Sequence, residues 1–226
     1  MASWGMPLAS AQLAQFALYA RTLQEWNVHY NLTAINDPAE ITTRHFLDSL
    51  SCARYWGDTP RSLIDIGSGA GFPGLPLKLL QPSLTLTVLE SVEKKARFVR
   101  HMVDLLGLEG VDVVVARAET LAHDARHREH YDVAVARAVA ELRVLAEYCL
   151  PFCRIGGRML APKGARVADE LAVAGPAIRQ LGGELLLQAE LQLPGRESHS
   201  IVVIGKRQPA PAHYPRRPGV PTRRPL

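Results

Sequence analysis

Apolar residues Leu13, Phe16, Ala17, Ala20, Leu23 and Trp26 recur three and four positions apart. That spacing lines one face of a helix and predicts one over residues 8–29, with Ser10 as a candidate cap. A second helical spacing runs through Ile41, His45, Leu47 and Leu50 and stops near Gly57-Asp58. Asp37 is placed to cap it and Pro38 to begin it. Beyond residue 60 the pattern changes to short β-branched runs alternating with helical ones. Strands are predicted at 62–66, 84–89, 111–115, 132–136 and 157–160. Helices are predicted at 75–80, 92–106 (stopped by Gly107), 142–150 (stopped by Pro151) and 167–181, where Gly175-Pro176 should kink or split the helix. Gly156-Gly157 and Gly182-Gly183 read as turns before strands. Two closing strands, 184–191 and 200–205, flank a turn at Pro194-Gly195 and suggest an antiparallel finish. The alternation implies a doubly wound, mostly parallel, seven-stranded α/β sheet with an N-terminal helical extension. The expected division is 1–57 helical extension, 58–207 sheet domain and 208–226 tail.

Composition narrows the class. The chain has 226 residues, 47% of them hydrophobic and 21% charged, the profile of a water-soluble globular protein. No apolar run is long enough to span a bilayer. The N-terminus lacks a basic segment followed by an apolar one. The three cysteines are odd in number, which suggests reduced thiols and a cytoplasmic location. The net charge of +4 is uneven: residues 208–226 hold Arg216, Arg217, Arg223 and Arg224 and no acid. With those four set aside, the remaining 22 basic residues equal the 22 acidic ones. This Pro-rich, Arg-rich tail is expected to be disordered or extended and to offer a salt-dependent hold on RNA.

The chemistry centres on Asp65-Ile66-Gly67-Ser68-Gly69-Ala70-Gly71-Phe72-Pro73-Gly74, a strand, a tight glycine turn and a helix start. Glycines there permit positive φ and close approach of a ligand. Two cofactor readings compete. Gly69 to Gly74 fits the dinucleotide pattern G-x-G-x-x-G, which favours NAD(P). However, the glycines begin at Gly67, directly after Asp65, whose charge repels a pyrophosphate and suits the cationic S-adenosylmethionine (SAM). Glu90, closing the next strand, can accept hydrogen bonds from a ribose diol in either case. The sheet is thus Rossmann-like, with SAM the expected cofactor.

Other clusters carry less. His123, His127 and His130 mimic a metal site but lie in a strongly polar stretch and read as solvated, and no metal is expected. Cys149 and Cys153 read as core thiols. Arg117 and Arg137 differ, because each follows a predicted strand at the edge where open α/β sheets bind ligands. Arg44, His45, Asp48 and Ser49 bunch on the second helix, where Arg44 and His45 could hold an RNA backbone. The plainer alternative pairs Arg44 with Asp48.

Asn31-Leu32-Thr33-Ala34-Ile35-Asn36-Asp37-Pro38, Arg44-His45-Phe46-Leu47-Asp48-Ser49-Leu50, the glycine loop, Ala136-Arg137-Ala138 and Pro162-Lys163-Gly164, in this order, resemble the bacterial RsmG (GidB) family over roughly residues 8–206. The resemblance implies a SAM-dependent methyltransferase acting on the N7 of a guanine in small-subunit (16S) ribosomal RNA. A monomer with no membrane partner is expected besides. It places SAM contacts on Gly67, Phe72, Ala118, Glu119 and Arg137; the residue reading adds Asp65 and Glu90. Ala118-Glu119 suits the adenine. Arg44, His45 and Arg137 are the candidate substrate residues, with Arg137 and the Arg44-bearing helix framing the guanine from opposite sides. Guanine N7 carries a lone pair and no proton, so no general base and no His–Asp dyad is expected. The tail lies beyond the family pattern. The alternatives are a methyltransferase of another RNA or a small molecule, an NAD(P)-dependent oxidoreductase, and a SAM-fold protein that only binds RNA.

Overall fold

A computed structural model describes residues 4–194 and 199–226. Seven strands form one sheet: β1 (Ser62–Ile66), β2 (Thr85–Glu90), β3 (Val111–Val115), β4 (Tyr131–Val135), β5 (Cys153–Lys163), β6 (Gly183–Leu191) and β7 (His199–Lys206). Their order is β3-β2-β1-β4-β5-β7-β6. Strands β1 to β5 are parallel, and β7 lies antiparallel between β5 and β6. Because β1 pairs with both β2 and β4, the chain reverses its direction of travel across the sheet at β1. A crevice therefore opens beyond the carboxyl ends of β1 and β4.

Alternation along the strands divides the core. On one face Leu63, Leu86 and Val88 pack with α1 (Ser10–Tyr30), α4 (Gly74–Leu80) and α5 (Glu93–Leu105) through Phe16, Tyr19, Leu75 and Phe98. On the other, Ile64, Ile66 and Leu89 meet α7 (Leu142–Cys149) and α8 (Val167–Gln180) through Leu145 and Ile178. This is the period-two geometry of a sheet buried on both sides. The second helical stretch is composite: α2 (Pro38–Glu40), a π-turn at Ile41–Leu47, α3 (Asp48–Ser51) and a 3₁₀ turn at Cys52–Arg54. Asp37 caps it by accepting from the Glu40 N–H at 2.9 Å. Two short helices, α6 (Ala118–Leu121) and α9 (Val220–Arg223), complete the chain.

Three local expectations change. Ala9, not Ser10, caps α1: the Gln12 side chain reaches back to the Ala9 N–H at 2.8 Å. Helix α8 runs unbroken through Pro176; an interior proline costs about 3 kcal/mol, offset by burying Val167, Ala174, Ala177 and Ile178. Gly156-Gly157 lie inside β5, where the pairing with β4 shifts register, because a Cβ at Gly157 would meet the Asp132 carbonyl at 2.8 Å. The antiparallel finish is present, although Gly195 of its expected turn lies outside the described residues.

The tail is the largest correction. Residues 208–226 fold back over α6 and α7. Tyr214 is buried, its hydroxyl accepts from Gln180 Nε2, and Arg128 donates to the carbonyls of Ala210 and Tyr214. Glu147, 1% exposed on α7, pairs with Arg216 at 2.6 Å. A Pro-rich stretch cannot make a core of its own, but a few anchors into an existing one suffice to order it.

Candidate functional site

The loop after β1 turns at Gly67, Gly69 and Gly71, with φ of +70°, +62° and +93°. A Cβ at Gly67 would lie 2.8 Å from Val139 Cγ2, and one at Gly71 2.5 Å from the Tyr19 hydroxyl, whereas at Gly69 it would meet nothing within 4 Å. Both expected acids brace this loop. Asp65 is fully buried, and its Oδ2 accepts from the Gly74 N–H at 2.8 Å, tying the strand end to the start of α4. Burial pushes its carboxyl up to about 6, against the opposing pull of that N–H. Glu90 accepts from the N–H groups of Gly69 and Val92, each at 2.8 Å. The Ser68 side chain also favours the charged form of Asp65, and both groups are buried in the loop, a set with spare acceptor capacity for a donor such as an ammonium or a water.

One cleft adjoins the loop, and a second lies beside it where Ala138 meets Val139. The narrower, about 70 Å³, is lined by Gly67, Leu89, Ala118, Glu119, Val139 and Tyr148. Glu119 Oε1 accepts from the Gly219 N–H at 3.0 Å, and the Tyr148 hydroxyl lies 3.0 Å from Thr222 Oγ1. Arg117 is exposed on the same cleft. The wider, about 320 Å³, is lined by Arg44, His45, Asp48, Arg137, Lys163 and His199 among others.

Arg137 organises the wider cleft. Its Nη1 donates to Asp48 Oδ2 at 2.8 Å and to the Arg44 carbonyl at 3.0 Å. Its Nη2 lies 3.1 Å from His45 Nδ1, and its guanidinium sits 5.2 Å from the Phe72 ring centre. Because a guanidinium can only donate, His45 Nδ1 is the acceptor and Nε2 carries the proton, pointing at Thr33 Oγ1 at 2.8 Å. Burial, then the Arg137 charge, push the His45 pKa down to about 3, so the ring is neutral. It stacks on Phe72 at 4.4 Å, and Tyr19 stacks on Phe72 at 5.2 Å. Burial works against ionisation of Asp48, yet its bond from His199 and the charge of Arg137 hold its pKa below the usual value. Lys163, at the end of β5, donates to the Ala140 carbonyl at 2.8 Å and pairs with Glu170.

The structure thus brings Gly67, Ala118 and Glu119 to one cleft and Arg44, His45 and Arg137 to the other. Phe72 is buried beneath His45 and Arg137, and Asp65 and Glu90 lie under the loop. Arg137 does not face the front helix across a gap; it is bonded to it. Arg44 pairs with Glu40 at 3.2 Å, not with Asp48. A His–Asp pair is present after all, His199 with Asp48. It escaped the sequence reading because β7, pairing antiparallel with β5 (Lys163 opposite Ser200), carries a distant residue to the cleft. Tyr148 carries no sequence signal beyond helix spacing, and Val139, in the bend before α7, carries none. His123 bonds the Pro215 carbonyl and His127 the Tyr131 hydroxyl. Among the described residues no group of three or more His, Cys, Asp or Glu could hold a metal ion. All three cysteines are free and buried, and no described helix is long and apolar enough to cross a membrane.

The fold is shared with solved methyltransferase structures. TrmN from Thermus thermophilus superposes with a TM-score of 0.54 at 19% identity, covering 70% of this chain and 48% of that one. An rRNA methylase from Streptococcus thermophilus gives 0.52 at 16%, covering 72% and 95%. Sequence relatives are nearer. The ribosomal RNA small subunit methyltransferase G of Roseiflexus sp. (strain RS-1) is 57% identical over 224 residues, covering 99% of this chain and 96% of the relative. That of Chloroflexus aggregans is 51% identical over 224 residues, covering 99% and 94%. These alignments take in the C-terminal segment, which is therefore no private appendage. The GidB family profile, described as rRNA small subunit methyltransferase G, matches residues 12–197. With its glycine loop, its clamped front helix and these full-length relatives, the chain belongs to the GidB family of rRNA small subunit methyltransferases G.

Proposed function

We propose that this protein transfers the methyl group of SAM to N7 of a guanine in small-subunit (16S) rRNA. The substrate is the small ribosomal subunit or an assembly intermediate, met in the cytoplasm by a monomer. The observation that carries the reading is the convergence of the family's motif residues on two adjoining clefts at the carboxyl edge of β1, β3 and β4.

The residues present fit the cofactor. Positive-φ glycines allow the backbone close approach, Gly69 faces open space, and the fully buried Asp65 carboxyl keeps spare acceptor capacity beneath the loop. SAM supplies an electrophilic methyl on a sulfonium. Glu119 holds the adenine amine, and Glu90 keeps spare lone pairs for the ribose because a carboxylate can accept about four hydrogen bonds. Asp65 stands under the cationic end. Arg137, held by Asp48 and His45, presents a fixed fork to the guanine. An O6 contact leaves the N7 lone pair free to attack. N7 has no proton to remove, so the neutral His45 acts in positioning and not as a base. Alignment and exclusion of water do the rest.

The test uses methyl-labelled SAM and small subunits from cells lacking this enzyme. Label in the small-subunit rRNA supports the reading; label only in other RNA or in small molecules overturns it. A melting temperature raised by NAD and not by SAM would overturn the cofactor assignment, since a ligand at a hundredfold excess over its Kd adds about 2.7 kcal/mol.

A further inference from the structure

We propose that the C-terminal segment, residues 208–226, is a working part of the cofactor site: through Gly219 and Thr222 it positions Glu119 and Tyr148, two of the polar side chains of the narrower cleft. The inference rests on the reading that Glu119 recognises the adenine.

The segment is anchored before it reaches the cleft. The Ala210 N–H bonds Glu129 at 2.7 Å, Arg128 holds the carbonyls of Ala210, Pro211 and Tyr214, and Arg216 forks onto the buried Glu147. Two contacts then enter the cleft itself. The Gly219 N–H takes Glu119 Oε1 at 3.0 Å, and Thr222 Oγ1 takes the Tyr148 hydroxyl at 3.0 Å. Gly219 has φ +80°, a conformation glycine adopts without strain, and this aims its N–H inward. Glu119 is 5% exposed. A carboxylate with one oxygen held by a backbone donor presents the other in a fixed direction, as an acceptor for an exocyclic amine. Unheld, the same side chain would spend rotamer freedom on each binding event. The segment's role at this cleft is therefore recognition of an amino-purine.

The test compares S-adenosylhomocysteine with S-inosylhomocysteine, which carries oxygen in place of the amine, by calorimetry. The variant is a chain ending at Pro218, which retains Tyr214 and the Arg216–Glu147 pair. The full chain should prefer the adenosyl ligand. The shortened chain should bind it about tenfold more weakly, the loss expected for one bond to a charged group, with the inosyl ligand little changed. Glu119→Ala in the full chain should lose the same preference, and shortening that variant should remove nothing more. If the shortened chain keeps the preference, or loses both ligands equally, while Glu119→Ala abolishes the preference, the segment is only structural and the adenine reading stands. If Glu119→Ala keeps the preference, the adenine reading fails and the inference with it. Should the shortened chain not fold, Thr222→Val in the full chain decides, because Thr222 holds the Tyr148 hydroxyl and that hydroxyl in turn bonds Glu119: a reduced preference supports the inference and an unchanged one overturns it.

Discussion

Arg137 touches Asp48, His45, the Arg44 carbonyl and the face of Phe72 at once, so its loss acts on both stability and catalysis. Arg137→Ala removes the guanidinium from the buried Asp48, a change that typically costs about 4 kcal/mol in buried pairs. It should also lower kcat/KM strongly, while Arg44→Ala, whose partner is the exposed Glu40, should mainly raise the KM for RNA; equal effects would count against this division. Gly67→Val places a Cβ against Val139 at positive φ, so calorimetry should find a folded protein that no longer binds SAM. Two buried groups tilt the pH dependence in opposite senses. Asp65, raised to about 6 from 3.8, gives stability that is full below pH 3.8 and is lost as pH rises through 6. His45, lowered to about 3 from 6.5, gives stability present above pH 6.5 and lost as pH falls toward 3. Asp65→Asn should therefore make denaturation midpoints climb more steeply between pH 4 and pH 6.5 and raise neutral-pH stability of the ligand-free protein, while weakening SAM binding. An unchanged slope would show that Asp65 does not titrate in that window.

Among the elements, local signals located most strands and helices, and failed where partners distant in sequence decide the outcome. The β-branched runs and glycine stops predicted β3 at its observed bounds and ended α5 at Gly107. Pro176 was read as a break because its local cost is visible in sequence while the packing of α7 against α8 is not. The tail was read as free for the same reason: its composition is that of a linker, and its anchors, Arg128, Gln180 and Glu147, lie 34 to 86 residues away. Its arginines are accordingly unequal. Arg216→Ala should destabilise the protein by about 3 kcal/mol or more, because it strands a buried carboxylate. Arg217→Ala, on an exposed position, should stay within about 0.5 kcal/mol. Urea midpoints distinguish the two, and similar values would mean the segment is not docked as described.

On the scale of the whole molecule, the sheet class and the glycine loop were legible because each follows from short-range periodicity. The doubly wound reading also put the end of β4 beside β1; the place of β7 against β5 was not legible, and with it went the cleft that His199 completes across β5 and β7. The N-terminal helices share one apolar core with α4, α5 and the sheet, so the front of the molecule and the cofactor loop should melt together rather than as separate units. The central claim concerns one atom of one base. Small subunits lacking the modification, incubated with the protein and SAM, can be probed by borohydride reduction and aniline cleavage, which breaks RNA at N7-methylguanine. Cleavage at a single guanine of the small-subunit rRNA, absent with Gly67→Val, is the predicted result; methyl incorporation without such cleavage, or cleavage that persists in that variant, would contradict it.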